Sequence, residues 1–64
     1  MNWRKKLAEL RKQKKLSQMK LEHKAMLSEG TISRYETGRR SPEINTIARI
    51  CRALGCTATE LLGF

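Results

Sequence analysis

A chain of 64 residues carries one small domain, residues 1–64, and buries only about 60% of its unfolded surface, which leaves no room for an enzyme cleft beside its core. Its net charge of +8 and its pI near 10.2 point to a polyanionic partner: nucleic acid, an anionic membrane surface or an acidic protein. No run approaches the roughly 18 apolar residues of a membrane span, and the N-terminus is charged where a secretory signal needs an apolar core, so a soluble, intracellular chain is expected.

The first predicted helix runs from about Trp3 to Lys14, with Trp3, Leu7 and Leu10 on one stripe. The segment NWRKKLAELRKQKKL carries seven of the fourteen basic residues, the profile of a helix that lies on anionic membranes or in a calmodulin-like groove. In this chain the stripe is better explained as a face covering helices 4 and 5, which otherwise lack a lid. Ser17 and Ser28, eleven residues apart, are placed as N-caps of two short helices, and Gly38 closes the second of them in a left-handed conformation. Leu21, Ala25, Leu27, Ile32 and Tyr35 are spaced for one buried face, leaving Glu29, Gly30, Ser33 and Arg34 on the other. Residues about 18–37 therefore read as two helices and a tight turn, the second helix spanning about 29–36. Helix 4 follows Ser41-Pro42 and sets Ile44, Ile47, Ile50, Cys51 and Leu54 at helical spacing before Gly55 stops it. Thr57 and Glu60 form a T-x-x-E capping box for a last helix that ends in Leu61, Leu62, Gly63 and Phe64. The fold class is all-α, with five helices and short connections.

Arg34 stands about one and a half turns into the second helix of the pair, and its guanidinium fork matches the O6 and N7 acceptors of guanine in a major groove; the alternative is a solvated arginine. Glu29, at the first helical position, accepts from the exocyclic amine of cytosine or simply answers the positive end of the helix dipole. Gly30 costs helix propensity, which suggests that the backbone approaches something closely, either a base-pair edge or helix 2. Cys51 and Cys56 lie five apart without paired C-x-x-C ligands, and His23 is the only imidazole, so no metal and no cofactor are expected. Both cysteines read as small buried apolar residues, a disulfide or redox switch being the alternative.

Three segments in order, LAELRKQKKLSQ (7–18), SEGTISRYETGRRSP (28–42) and INTIARICRALGCTATELL (44–62), resemble the helix-turn-helix domains of the lambda-repressor and Cro type, the XRE family. The resemblance covers nearly the whole chain. It implies a compact five-helix lambda-repressor-like bundle and a sequence-specific, double-stranded DNA-binding transcription regulator. The expected regulator is a cytoplasmic, nucleoid-associated repressor that inserts helix 3 in the major groove of an inverted-repeat operator. It implies base contacts from Glu29, Gly30, Ser33 and Arg34, and phosphate contacts from Gln18, Ser28, Thr31, Thr37, Arg39 and Arg40. It also makes Arg11 and Glu36 a partly buried ion pair that ties helix 1 to helix 3. Relatives work as two-fold dimers, so a homodimer is expected, paired through Ala58, Leu61, Leu62 and Phe64 unless those residues complete the monomer core.

Two departures from the family pattern stand out. Glu22 replaces an alanine and must find a basic partner or turn to solvent; Met26 replaces the turn glycine, with either another turn geometry or a strain of about 1 kcal/mol. The rival reading is a protein-binding module such as an antitoxin or accessory subunit, with only non-specific DNA affinity. Double-stranded RNA fits least, because its deep major groove does not admit a helix.

Overall fold

A helix leaves four amides and four carbonyls open at its ends, and this chain satisfies them mainly with local side chains and left-handed turns. In the computed structural model, which describes residues 2–63, five α-helices follow one another: α1 (Trp3–Gln13), α2 (Gln18–Lys24), α3 (Thr31–Thr37), α4 (Ile44–Leu54) and α5 (Ala58–Leu62). The Asn2 side chain, which the sequence reading passed over, accepts from the amides of Arg4 and Lys5 and opens α1. Ser17 opens α2 by accepting from the Lys20 amide, and Thr57 with Glu60 forms the capping box of α5.

Helices α1 to α4 end alike. An amide two residues past the last full turn donates back to a carbonyl five positions earlier: Leu16 to Arg11 (3.1 Å), Leu27 to Glu22 (2.8 Å), Arg39 to Arg34 (2.8 Å) and Cys56 to Cys51 (3.0 Å). This Schellman ending needs a left-handed residue just before the donor. Gly38 and Gly55 supply it after α3 and α4, whereas Lys15 (φ +57) and Met26 (φ +58) do so at about 1 kcal/mol each. Of the two outcomes open for Met26, the strained left-handed turn is the one found, with its side chain 82% exposed.

The entry to α3 departs from expectation. Ser28 is not its N-cap and Glu29 is not its first residue. The Ser28 carbonyl accepts from the Thr31 amide at 3.2 Å, closing a turn in which Gly30, at φ +86 and ψ −6, holds the position that a type II turn reserves for glycine. Gly30 is the N-cap, so the residue sits before the helix rather than within it, and the turn geometry accounts for its glycine. Having no side chain, it offers no cap to the Ile32 amide that follows. Glu22 fills the gap: its Oε2 accepts from the Ile32 amide at 3.0 Å with the residue only 3% exposed. The carboxylate thus finds neither a basic partner nor solvent. It finds the positive end of the α3 dipole.

The core gathers Leu7, Leu21, Ile32, Tyr35, Ile47, Ile50, Cys51, Leu54 and Leu61. Helix α1 packs on α3 and α5, α2 on α3 and α4, and α4 on α5. The apolar stripe of α1 therefore covers α3 and α5 rather than α4 and α5, because Trp3 meets the Tyr35 ring edge-to-face at 5.9 Å. Burial corrects two further expectations, those for Ile44 and Cys56, and decides between the two left open for Leu61. Ile44, at the start of α4, is 86% exposed and contributes nothing to the monomer core, while Leu61 is fully buried in it. Cys51 is buried as expected, but Cys56 is only half-buried against the core. Phe64 lies outside the described residues.

Candidate nucleic-acid interface

Helix α3 has an inner and an outer side because its apolar residues recur at helical spacing. Ile32 and Tyr35 face the core, and Arg34 and Thr37 are exposed, with Ser33 half-buried between them. Glu29 is exposed in the turn before the helix, and Arg39 and Arg40 are exposed just after it. A side chain at Gly30 would meet the Arg34 guanidinium at 3.4 Å, so the arginine folds back over the glycine, following the N-terminal tilt of helical side chains. The bare turn gives the guanidinium its floor.

Helices α1 and α2 fix the attitude of α3. Glu36 is the hub: Arg11 Nε donates to its Oε2 at 2.8 Å, and Arg11 Nη2 and Gln18 Nε2 donate to its Oε1 at 3.3 and 3.0 Å. Arg11 Nη1 also donates to the Leu16 carbonyl at 2.8 Å, and the ion-paired side chains are about nine-tenths buried. One buried carboxylate therefore ties α1, α2 and α3 together. Gln18, expected at a phosphate, is engaged here through one amide hydrogen and has a second to offer.

Arg4 also holds the C-terminal end of α3, a role that sequence reasoning missed. Its Nη1 donates to the carbonyls of Tyr35 (2.7 Å) and Arg40 (3.0 Å), and its guanidinium lies 4.7 Å from the centroid of the Trp3 ring. A signal was present: a cation in the first turn of a helix opposes the dipole and needs another reason to be there. The arginine adds a second donor to the Tyr35 carbonyl, which also accepts from the Gly38 amide, and joins it to the Arg40 carbonyl just past the helix.

Other expected contacts are placed differently. The Thr31 residue is 4% exposed, so it offers little surface to a phosphate. The Thr37 hydroxyl donates its only proton to the Ser33 carbonyl at 2.8 Å. The Arg40 guanidinium lies 5.9 Å from the Tyr35 ring centroid and 3.8 Å from the Glu43 carboxylate, an exposed pair worth little by itself. Ser28 is exposed beside Glu29. Among the described residues, no group of three or more His, Cys, Asp or Glu side chains is arranged to hold a metal ion, and no helix is long and apolar enough to cross a membrane.

Comparison with known proteins agrees with this geometry. A family model described as helix-turn-helix matches residues 7–61. The uncharacterized HTH-type transcriptional regulator y4dJ of Sinorhizobium fredii is 36% identical over 55 residues, which cover 86% of this chain and 71% of that protein. No solved structure matches the chain.

Proposed function

Because the chain belongs to the helix-turn-helix family of the lambda-repressor and Cro type, we propose that it is a sequence-specific DNA-binding transcription regulator, acting as a repressor, that sets α3 in the major groove of an inverted-repeat operator. The observation that carries this reading is the bracing of α3 by Glu36, Glu22 and Arg4 while Arg34 stays exposed on its outer side. A reading helix must hold its angle to the groove within small tolerances, and three separate anchors serve that need.

In this reading Arg34 donates to guanine O6 and N7, and Ser33, Glu29 and the Gly30 backbone meet neighbouring base edges. Gln18, Ser28, Arg39 and Arg40 lie against phosphates, joined by Thr37 once its hydroxyl turns from the Ser33 carbonyl, and they set the register without reading sequence. Thr31, only 4% exposed, offers the same phosphates no more than its edge. The domain binds as a two-fold pair on half-sites about 34 Å apart. Ala58 and the half-buried Leu62 form the pairing face together with the exposed Ile44, which lines the same apolar depression. Leu61 is not part of it.

Selection of binding sites from random duplex DNA at about 150 mM salt tests the whole reading, since phosphate contacts alone weaken as salt rises. Enrichment of a palindrome with half-sites one helical turn apart is the expected outcome. Retention of DNA without enrichment overturns it and favours a protein-binding accessory module whose charge holds phosphate only.

A further inference from the structure

The C-terminus of α4 brings two thiols together. In a Schellman ending, the residue whose carbonyl accepts and the residue whose amide donates have neighbouring side chains, which is why that pair is commonly apolar. Here the two positions are Cys51 and Cys56, joined by a 3.0 Å bond from the Cys56 amide to the Cys51 carbonyl, with Gly55 (φ +71) turning the chain back between them. That hydrogen bond and the covalent bonds flanking it hold the two Cα atoms within about 7 Å, the outer limit for a disulfide. Cys51 is 6% exposed, and Cys56 is half-buried against the same cluster; both are free thiols. Burial, then the neighbouring Cys56 thiol, push the Cys51 thiol up to about 11, so Cys51 stays protonated near neutral pH.

We propose that Cys51 and Cys56 form a reversible intramolecular disulfide across the α4–α5 connection when the chain meets a peroxide or a glutathione-type disulfide. With hydrogen peroxide, the more accessible Cys56 sulfur attacks the O–O bond, becomes a sulfenic acid and releases one water. The Cys51 sulfur then attacks that sulfur, and its proton leaves with the displaced hydroxyl as a second water. Two thiols and one peroxide give one disulfide and two waters. Reduction by a thiol reverses the step through a mixed disulfide. The bond staples the last turn of α4 to the residue that precedes the Thr57 cap of α5, on elements other than the reading helix.

Arg52 lies between the two cysteines, so trypsin separates them and the disulfide survives as one cross-linked peptide pair. The full chain is equilibrated with reduced and oxidised glutathione, folded and in denaturant, then quenched, alkylated, digested and weighed. The folded chain is expected to hold the cross-link, as a monomer, at a glutathione ratio at least about tenfold more reducing than the denatured chain does. Cys51→Ala and Cys56→Ala each abolish it. Equal midpoints for folded and denatured chain, glutathione adducts alone, or a cross-link found only between two chains overturns the proposal.

Discussion

Arg34 and Arg39 are both exposed cations, yet they stand in different places: one lies on the outer face of a braced helix, the other in the segment after it. Arg34→Ala is expected to lose about 1–3 kcal/mol on the preferred duplex and to relax preference at one base pair, and equal losses on all duplexes would remove it from base readout. Arg39→Ala is expected to weaken every duplex alike and to reduce the salt slope by about one, so an unchanged slope argues against a phosphate contact. Cys51 gives a pH signature. Its thiol holds its proton more tightly folded, up to about 11 against an ordinary 9.0, so the folded state binds more protons between those values and stability falls as pH rises through them. Denaturant melts from pH 8 to 11 are expected to show a loss in the native chain that is shallower in Cys51→Ala; parallel curves would show that the thiol does not contribute.

At the scale of the element, α3 is only seven residues long and too short to be stable by itself, so its angle is imposed by neighbours. Glu22→Ala removes the acceptor of a buried amide and is expected to cost about 1–3 kcal/mol in urea melts. An unchanged midpoint would mean that water reaches the Ile32 amide once the carboxylate is gone. Arg11→Ala leaves the Glu36 carboxylate without its ion pair at a largely buried site and is expected to cost about 3–5 kcal/mol. For a chain of this size the whole folding free energy is of order 3–10 kcal/mol, so the variant stands near unfolding at 37 °C. An unaltered melt would show that Gln18 alone positions Glu36.

In the molecule as a whole, Ile44 is the most exposed of three large apolar side chains, the others being Met19 and Met26, and among the described residues it alone of the three lines an apolar depression with Ala58 and Leu62. A large apolar side chain beside Ala58 and Leu62 suits an interface and adds nothing to the isolated fold. Ile44→Asp is expected to leave monomer stability within about 0.5 kcal/mol, as for other surface changes. It is also expected to weaken binding to a two-half-site duplex at least tenfold while sparing a single half-site. Sedimentation with each duplex separates the two effects, and equal binding to both would take the pairing surface elsewhere.

What local physics controls is legible in the order of the residues. Ser17, Gly38, Gly55 and the Thr57–Glu60 box punctuate helices through bonds to residues a few positions away, so the five-helix order and most of the buried face were legible from spacing. The tertiary structure decided whatever depends on a partner distant in the chain. Glu22 finds an amide ten residues on, Arg4 reaches carbonyls thirty-one and thirty-six residues away, and Ile44 is left outside although its spacing fits the core. Ser28 lost the capping role to a local turn, its carbonyl accepting from the Thr31 amide, while the Ile32 amide one residue on is served by a carboxylate from α2. Periodicity names the face of a helix that is apolar, but only the packing of three helices at once says where each carboxylate and guanidinium comes to rest.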